Sequence, residues 1–115
     1  MPKPKRGEVW LVRFPFTTLT STKLRPALVM AVHGEDVIMI GIFSRVPLGS
    51  FHDTWVQIEE RHPHFSQTGL KTTSLLKAEK IAIVHESVTH RRLGVLPSDM
   101  MTQVEKALKR ALLLP

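Results

Sequence analysis

Residues 23–43 read KLRPALVMAVHGEDVIMIGIF, and this stretch decides the fold. A polar run from Thr17 to Lys23 stops at Arg25-Pro26 and gives way to an apolar run. Proline fixes its own φ and pushes the preceding residue towards extended geometry. Pro26 to Val32 therefore reads as a strand, apolar on both faces and central in its sheet. His33-Gly34-Glu35-Asp36 has the composition of a tight hairpin turn, and Val37 to Phe43 returns as a second apolar strand. Strands joined this way run antiparallel, so Ser44 and Arg45 are delivered back to the end of the sheet where Arg25 begins its strand. A guanidinium at such a mouth suits phosphate, since its planar fork offers two donors to two oxygens.

Outward from this hairpin the other segments follow the same logic. Gly7 to Phe14 is rich in β-branched and aromatic residues and closes at Pro15, which predicts a first strand. Pro15 to Leu24 is a polar loop with Phe16, Thr17 and Lys23 close to Arg25. Thr54 to Glu59 alternates enough for a strand with one wet face. Leu75 to His85 reads as a strand interrupted by Lys77, Glu79 and Lys80, which predicts an exposed face, a bulge or an edge. Val88 to Val95 is a short last strand or turn. The period then changes: Met101, Val104, Leu108 and Ala111 recur at helical spacing, with Ser98 as a cap and Asp99 at the positive end of the dipole. The expectation is a mainly β protein, an SH3-like antiparallel barrel closed by a C-terminal helix over residues 98–113. A loose basic arm, residues 1–6, precedes it, and residues 1–115 form one domain.

The chain has 115 residues, a formal net charge of +6 and no cysteine. The charge favours a polyanionic partner: nucleic acid, an acidic protein or anionic lipid. Without cysteine there is neither a disulfide framework nor a thiolate zinc site. No apolar run is long enough to span a membrane and no signal peptide is evident, so a soluble cytoplasmic protein without membrane contact is expected. His62-Pro63-His64 lacks the further ligands a metal needs, and Glu59-Glu60 point to opposite strand faces. No metal and no cofactor are expected. The remaining cations and hydroxyls, namely Arg25, Ser44, Arg45, Ser74, Lys77 and Lys80, suit single-stranded nucleic acid, with Phe16, Phe43 or Phe51 as stacking faces. They also suit metal-free RNA cleavage, in which the 2′-OH attacks the adjacent phosphorus.

Gly7-Glu8-Val9-Trp10-Leu11-Val12, Phe14-Pro15 and Lys23 to Val29 resemble the opening of the PemK/MazF family. Thr68 to Ser74, Glu79-Lys80-Ile81, Leu93-Gly94-Val95-Leu96 and the closing helix extend the resemblance over nearly the whole chain. It implies a type II toxin–antitoxin toxin with an SH3-like barrel, usually homodimeric. Such toxins are metal-independent endoribonucleases that cut single-stranded RNA to a 2′,3′-cyclic phosphate and a 5′-hydroxyl. A cognate antitoxin with an acidic segment blocks the RNA groove. Arg25 falls on the family's catalytic arginine, Ser74 on a hydroxyl lining the RNA site, and Lys80 where some members carry a polar substrate contact. The catalytic threonine corresponds to Phe43, with Ser44 the next residue, and the acidic residue common in the first loop is missing. Two outcomes stay open: a one-residue bulge brings the Ser44 hydroxyl to the threonine's place, or Phe43 leaves an RNA- or antitoxin-binding module with impaired catalysis. The same fold also serves toxins directed at a topoisomerase.

Overall fold

A computed structural model describes residues 3–13, 23–49 and 51–115. The elements are β1 (Glu8–Arg13), β2 (Leu24–His33), β3 (Asp36–Phe43), β4 (Trp55–Ile58), β5 (Ser74–His85), β6 (Thr89–Val95) and α1 (Ser98–Ala111). The strands form one six-stranded sheet in the order β4-β5-β3-β2-β1-β6, and every pairing is antiparallel. β4 and β6 lie at opposite ends and do not pair, so the sheet coils without closing into the expected barrel. The ends explain why. β4 is only four residues long, and β6 slips register twice against β1, which twists an edge away from regular pairing.

Strand alternation divides the buried side chains between two faces. On one face Val9, Leu28, Ile40, Ile42, Ile58, Leu76 and Ala78 pack with Met100, Val104 and Ala107 of α1. On the other, Trp10, Val12, Ala27, Val29, Met39, Ala82 and Val84 form a smaller cluster with Val88 against it. α1 is amphipathic as its period predicts, but Ser98 is its first residue rather than its cap. Pro97, at ψ 149°, holds the cap position, and its carbonyl accepts the Met101 N–H. Asp99 favours the helix N-terminus and accepts from His62 Nε2 at 2.8 Å, and that hydrogen bond holds its carboxyl below the ordinary value. At the chain's start, Arg6 donates to the Met30 carbonyl at 2.7 Å and pairs with Glu105 of α1. Among the described residues no helix is long and apolar enough to cross a membrane.

β5 supplies the irregularity that shapes the second face. Ile40 pairs with Ile81 and Ile42 with Leu76, so two steps along β3 face five along β5. The surplus is a wide bulge at Lys77 to Lys80, the place where charges interrupt the strand. An odd number of extra residues reverses the alternation. Ala78 therefore joins the helix-facing core while Ala82 joins the opposite cluster. Lys77 neighbours Ala78 and so points the other way, while Lys80 shares the period of Ala82 and Val84, so both lysines lie on the face away from the helix.

Candidate nucleic-acid interface

Arg25 sits one residue into β2, paired with Val12 of β1. Val12 belongs to the face away from the helix, and directly paired residues share a face. Continuing the Ala27–Gly41 pairing by two residues places Arg25 across from Phe43. Arg25 is half-buried, and its buried Nε has no hydrogen-bond partner among the described residues. A buried unsatisfied donor costs about 1–3 kcal/mol, more on a charged group. An anion on this face would supply the missing acceptor.

Phe43 pairs in step with Leu75, as Ile42 does with Leu76. The β3–β5 ladder is in step up to Phe43, where β3 ends. Phe43 occupies Arg25's row, and Ser44 lies one residue on, exposed in the bend that follows. The Phe43 ring is 9 % exposed and lies under Lys77, whose Nζ is 5.0 Å from its centroid and 4.8 Å from that of Trp55. Trp55 pairs with Lys77 across the β4–β5 ladder. Its indole N–H donates to Glu79 Oε2 at 2.9 Å, and Thr54 Oγ1 donates to Glu79 Oε1 at 2.8 Å. Partial burial pushes the Glu79 carboxyl up, but the bonds from Trp55 and Thr54 and the nearby Lys77 charge outweigh it and hold the pKa below its ordinary value. Phe51 and His52 complete the aromatic group, 6.0 and 4.5 Å from Trp55 between ring centroids.

A depressed folded-state pKa adds stability that is fully present above the unfolded value near ~4.3 and lost as pH falls through the folded value. Acid titration should therefore release Trp55 only below the ordinary glutamate range. In Glu79→Gln the tryptophan fluorescence should stay flat over that window; an unchanged acid transition would remove Glu79 as its cause.

The other residues expected at the site fall in different places. Arg45 is exposed just beyond β3, Lys23 is exposed immediately before β2, and Lys80 is half-buried on the same face as Arg25. Ser74 is 4 % exposed, pairs with Ile58 on the helix side and donates to the Thr72 carbonyl at 2.9 Å, so its hydroxyl serves its own turn. Phe16 and Thr17 lie outside the described residues. Trp55, Glu79 and the stacking of Lys77 were not anticipated. The one sequence signal for them is that Trp55 opens a short alternating strand and that Lys77 and Glu79 interrupt an otherwise apolar one. Among the described residues no three His, Asp or Glu side chains gather as metal ligands.

The fold and this face define a small basic β-sheet protein with cations and aromatics gathered on one surface, the make-up of a single-strand nucleic-acid binder. Comparison with known proteins narrows this. The profile of the family described as PemK-like, MazF-like toxin of type II toxin–antitoxin system matches residues 5–112. The chain belongs to that family. A solved mycobacterial endoribonuclease in complex with its cognate antitoxin shares the fold at TM-score 0.74 and 22 % identity, covering 97 % of each chain. MazF from Deinococcus radiodurans does so at TM-score 0.73 and 20 % identity, covering 99 % of this chain and 100 % of its own. Mycobacterium tuberculosis toxin MazF-mt6 has TM-score 0.73 and 17 % identity, covering 94 % of this chain and 98 % of its own. No curated protein matches this sequence.

Proposed function

We propose that this toxin is a metal-independent endoribonuclease that cleaves single-stranded RNA in the cytoplasm, held in check by an antitoxin. The observation that carries the reading is the buried Nε of Arg25, without a partner among the described residues, on a face lined by Lys77 and Lys80. In the reaction the ribose 2′-oxygen bonds to phosphorus, the P–O5′ bond breaks, and the 2′-proton leaves as O5′ gains one. Products are a 2′,3′-cyclic phosphate and a 5′-hydroxyl. Arg25 stabilises the charge that builds on the phosphoryl oxygens. Lys77, fixed between two rings, adds a second cation beside it. Arg45 and Lys80 hold neighbouring phosphates, and Ser44, the residue after Phe43, takes part in proton transfer. The antitoxin reading is supported by the solved relative that carries its cognate antitoxin. A homodimer is supported by exposed Ile83 and Leu112 to Leu114, apolar surface that a second copy would cover.

A second reading has its own observation. The in-step pairing of Phe43 puts a ring, not a hydroxyl, opposite Arg25, which favours an RNA- or antitoxin-binding module with little catalysis. Phe43→Thr discriminates the two. A restored hydroxyl should raise cleavage by about tenfold or more, since one positioned proton-transfer group contributes roughly 10²–10⁴. It should also destabilise by about 3 kcal/mol from the lost ring, so rates are compared below its melting transition. Faster cleavage from a slow wild type identifies Phe43 as the brake, and an unchanged rate shows that the missing threonine is not limiting.

A further inference from the structure

The bulge in β5 leaves Lys77 to Lys80 without a ladder partner on β3 among the described residues, since the pairs pass from Ile42–Leu76 directly to Ile40–Ile81. Bulges re-aim side chains beside active sites, but an unpaired stretch needs something else to fix its register. Here the other flank supplies it. Trp55 pairs with Lys77, and the Ala78 N–H donates to the Thr54 carbonyl at 2.9 Å. The Glu79 carboxylate accepts from the Trp55 indole on one oxygen and from the Thr54 hydroxyl on the other. Three successive residues of the bulge are thus tied to Thr54 and Trp55.

Trp55 is itself set by the turn before it. Its backbone N–H donates to the His52 carbonyl at 3.1 Å, and its ring meets the His52 ring edge-on. The far end of Lys77 is held too. A lysine stem is flexible, yet this ammonium lies over both Trp55 and Phe43, and Phe43 shares a row with Arg25. Each ring restricts where the charge can sit. A tryptophan free to turn about its side-chain bonds would do so poorly, and the indole bond to Glu79 removes that freedom.

We propose that Trp55 is a positioning residue: anchored by Glu79, which Thr54 holds in turn, it keeps the Lys77 ammonium on the Arg25 face, where it meets a phosphate of the RNA. Trp55 touches neither substrate nor the reacting atoms and acts only through Lys77. The reaction that Lys77 serves rests on the nuclease reading, whereas the placement of Lys77 does not.

The test joins a kinetic cycle to a spectroscopic one, both on the full-length protein. Trp55→Phe keeps a ring but removes the N–H that Glu79 holds. It should lower kcat on single-stranded RNA about tenfold with KM nearly unchanged, since misplacing a group by about 1 Å can cost up to a hundredfold. In a Lys77→Ala background the same substitution should have no further effect, because all of its effect runs through Lys77. Equal losses in the two backgrounds would overturn the proposal and make Trp55 a residue of the fold alone. The second readout needs no activity. Ring currents from Trp55 and Phe43 should shift the Lys77 ε-methylene protons upfield in wild type. Glu79→Ala leaves both rings in place, so loss of most of that shift reports that Lys77 has moved. Glu79→Gln keeps an acceptor for the indole and should retain the shift. An unchanged shift in Glu79→Ala, or its loss in Glu79→Gln through charge alone, would overturn the proposal, as would no upfield shift in wild type. A wild type that cuts no RNA but shows the expected shifts would sink the nuclease reading and leave the placement of Lys77 standing.

Discussion

Arg25→Ala is expected to slow cleavage of single-stranded RNA by about a hundredfold or more, the scale of losing one preorganised donor to a developing oxyanion. The reason lies in the side chain's incomplete bonding. Its Nε is buried without an acceptor among the described residues, a costly unfilled donor that an anionic ligand would relieve. Removing the guanidinium also removes that cost. The variant should therefore melt no lower than wild type, which separates a catalytic loss from a folding one. Arg25→Lys keeps the charge but loses the fork, and should recover only part of the rate. A melting temperature that drops with activity would instead make Arg25 a structural residue.

Gly94→Ala is expected to destabilise the fold by about 3 kcal/mol or more, at the upper end for overpacking, lowering the melting temperature by roughly 10 °C or more. A Cβ built on Gly94 would lie 2.1 Å from the Gln67 carbonyl oxygen, and one on Gly69 would lie 2.1 Å from that of Leu93. These are backbone contacts, so no side chain can swing away. Gly69 carries the added strain of φ +75°, the left-handed region that disfavours a side chain. The two glycines let a 3₁₀ turn at Phe65–Thr68 pack directly on β6. That contact fixes the segment leading into β5, and β5 carries Lys77 and Lys80. Gly69→Ala should cost at least as much as Gly94→Ala. Urea denaturation measures both, and a loss below 1 kcal/mol for either would mean that the turn can lift away cheaply.

Much of this architecture was legible in residues whose causes are local. The 26–43 hairpin followed from a proline, a turn composition and two apolar runs. Three charges in an otherwise apolar strand left an exposed face, a bulge or an edge open for β5, of which the bulge is present, and α1 followed from its period. Arg25 was legible because proline geometry is local too. What escaped depends on contacts between distant segments. Lys77 lies over Phe43 and Trp55 from another strand, and nothing in their spacing announces the stack. Ser74 came to the site through its position in the family motif; its register opposite Ile58, its burial and its bond to the Thr72 carbonyl depend on contacts that the motif does not show. The open sheet escaped for the same reason: strand count is visible in a sequence, but whether the two edge strands meet is not.

The most direct measurement incubates purified wild-type protein and Arg25→Ala with an end-labelled single-stranded RNA in excess EDTA and identifies the product ends. Wild-type fragments are expected to end in a 2′,3′-cyclic phosphate and begin with a 5′-hydroxyl, with cleavage nearly abolished in Arg25→Ala. RNA left intact by wild type, or cut equally well by both proteins, would contradict it.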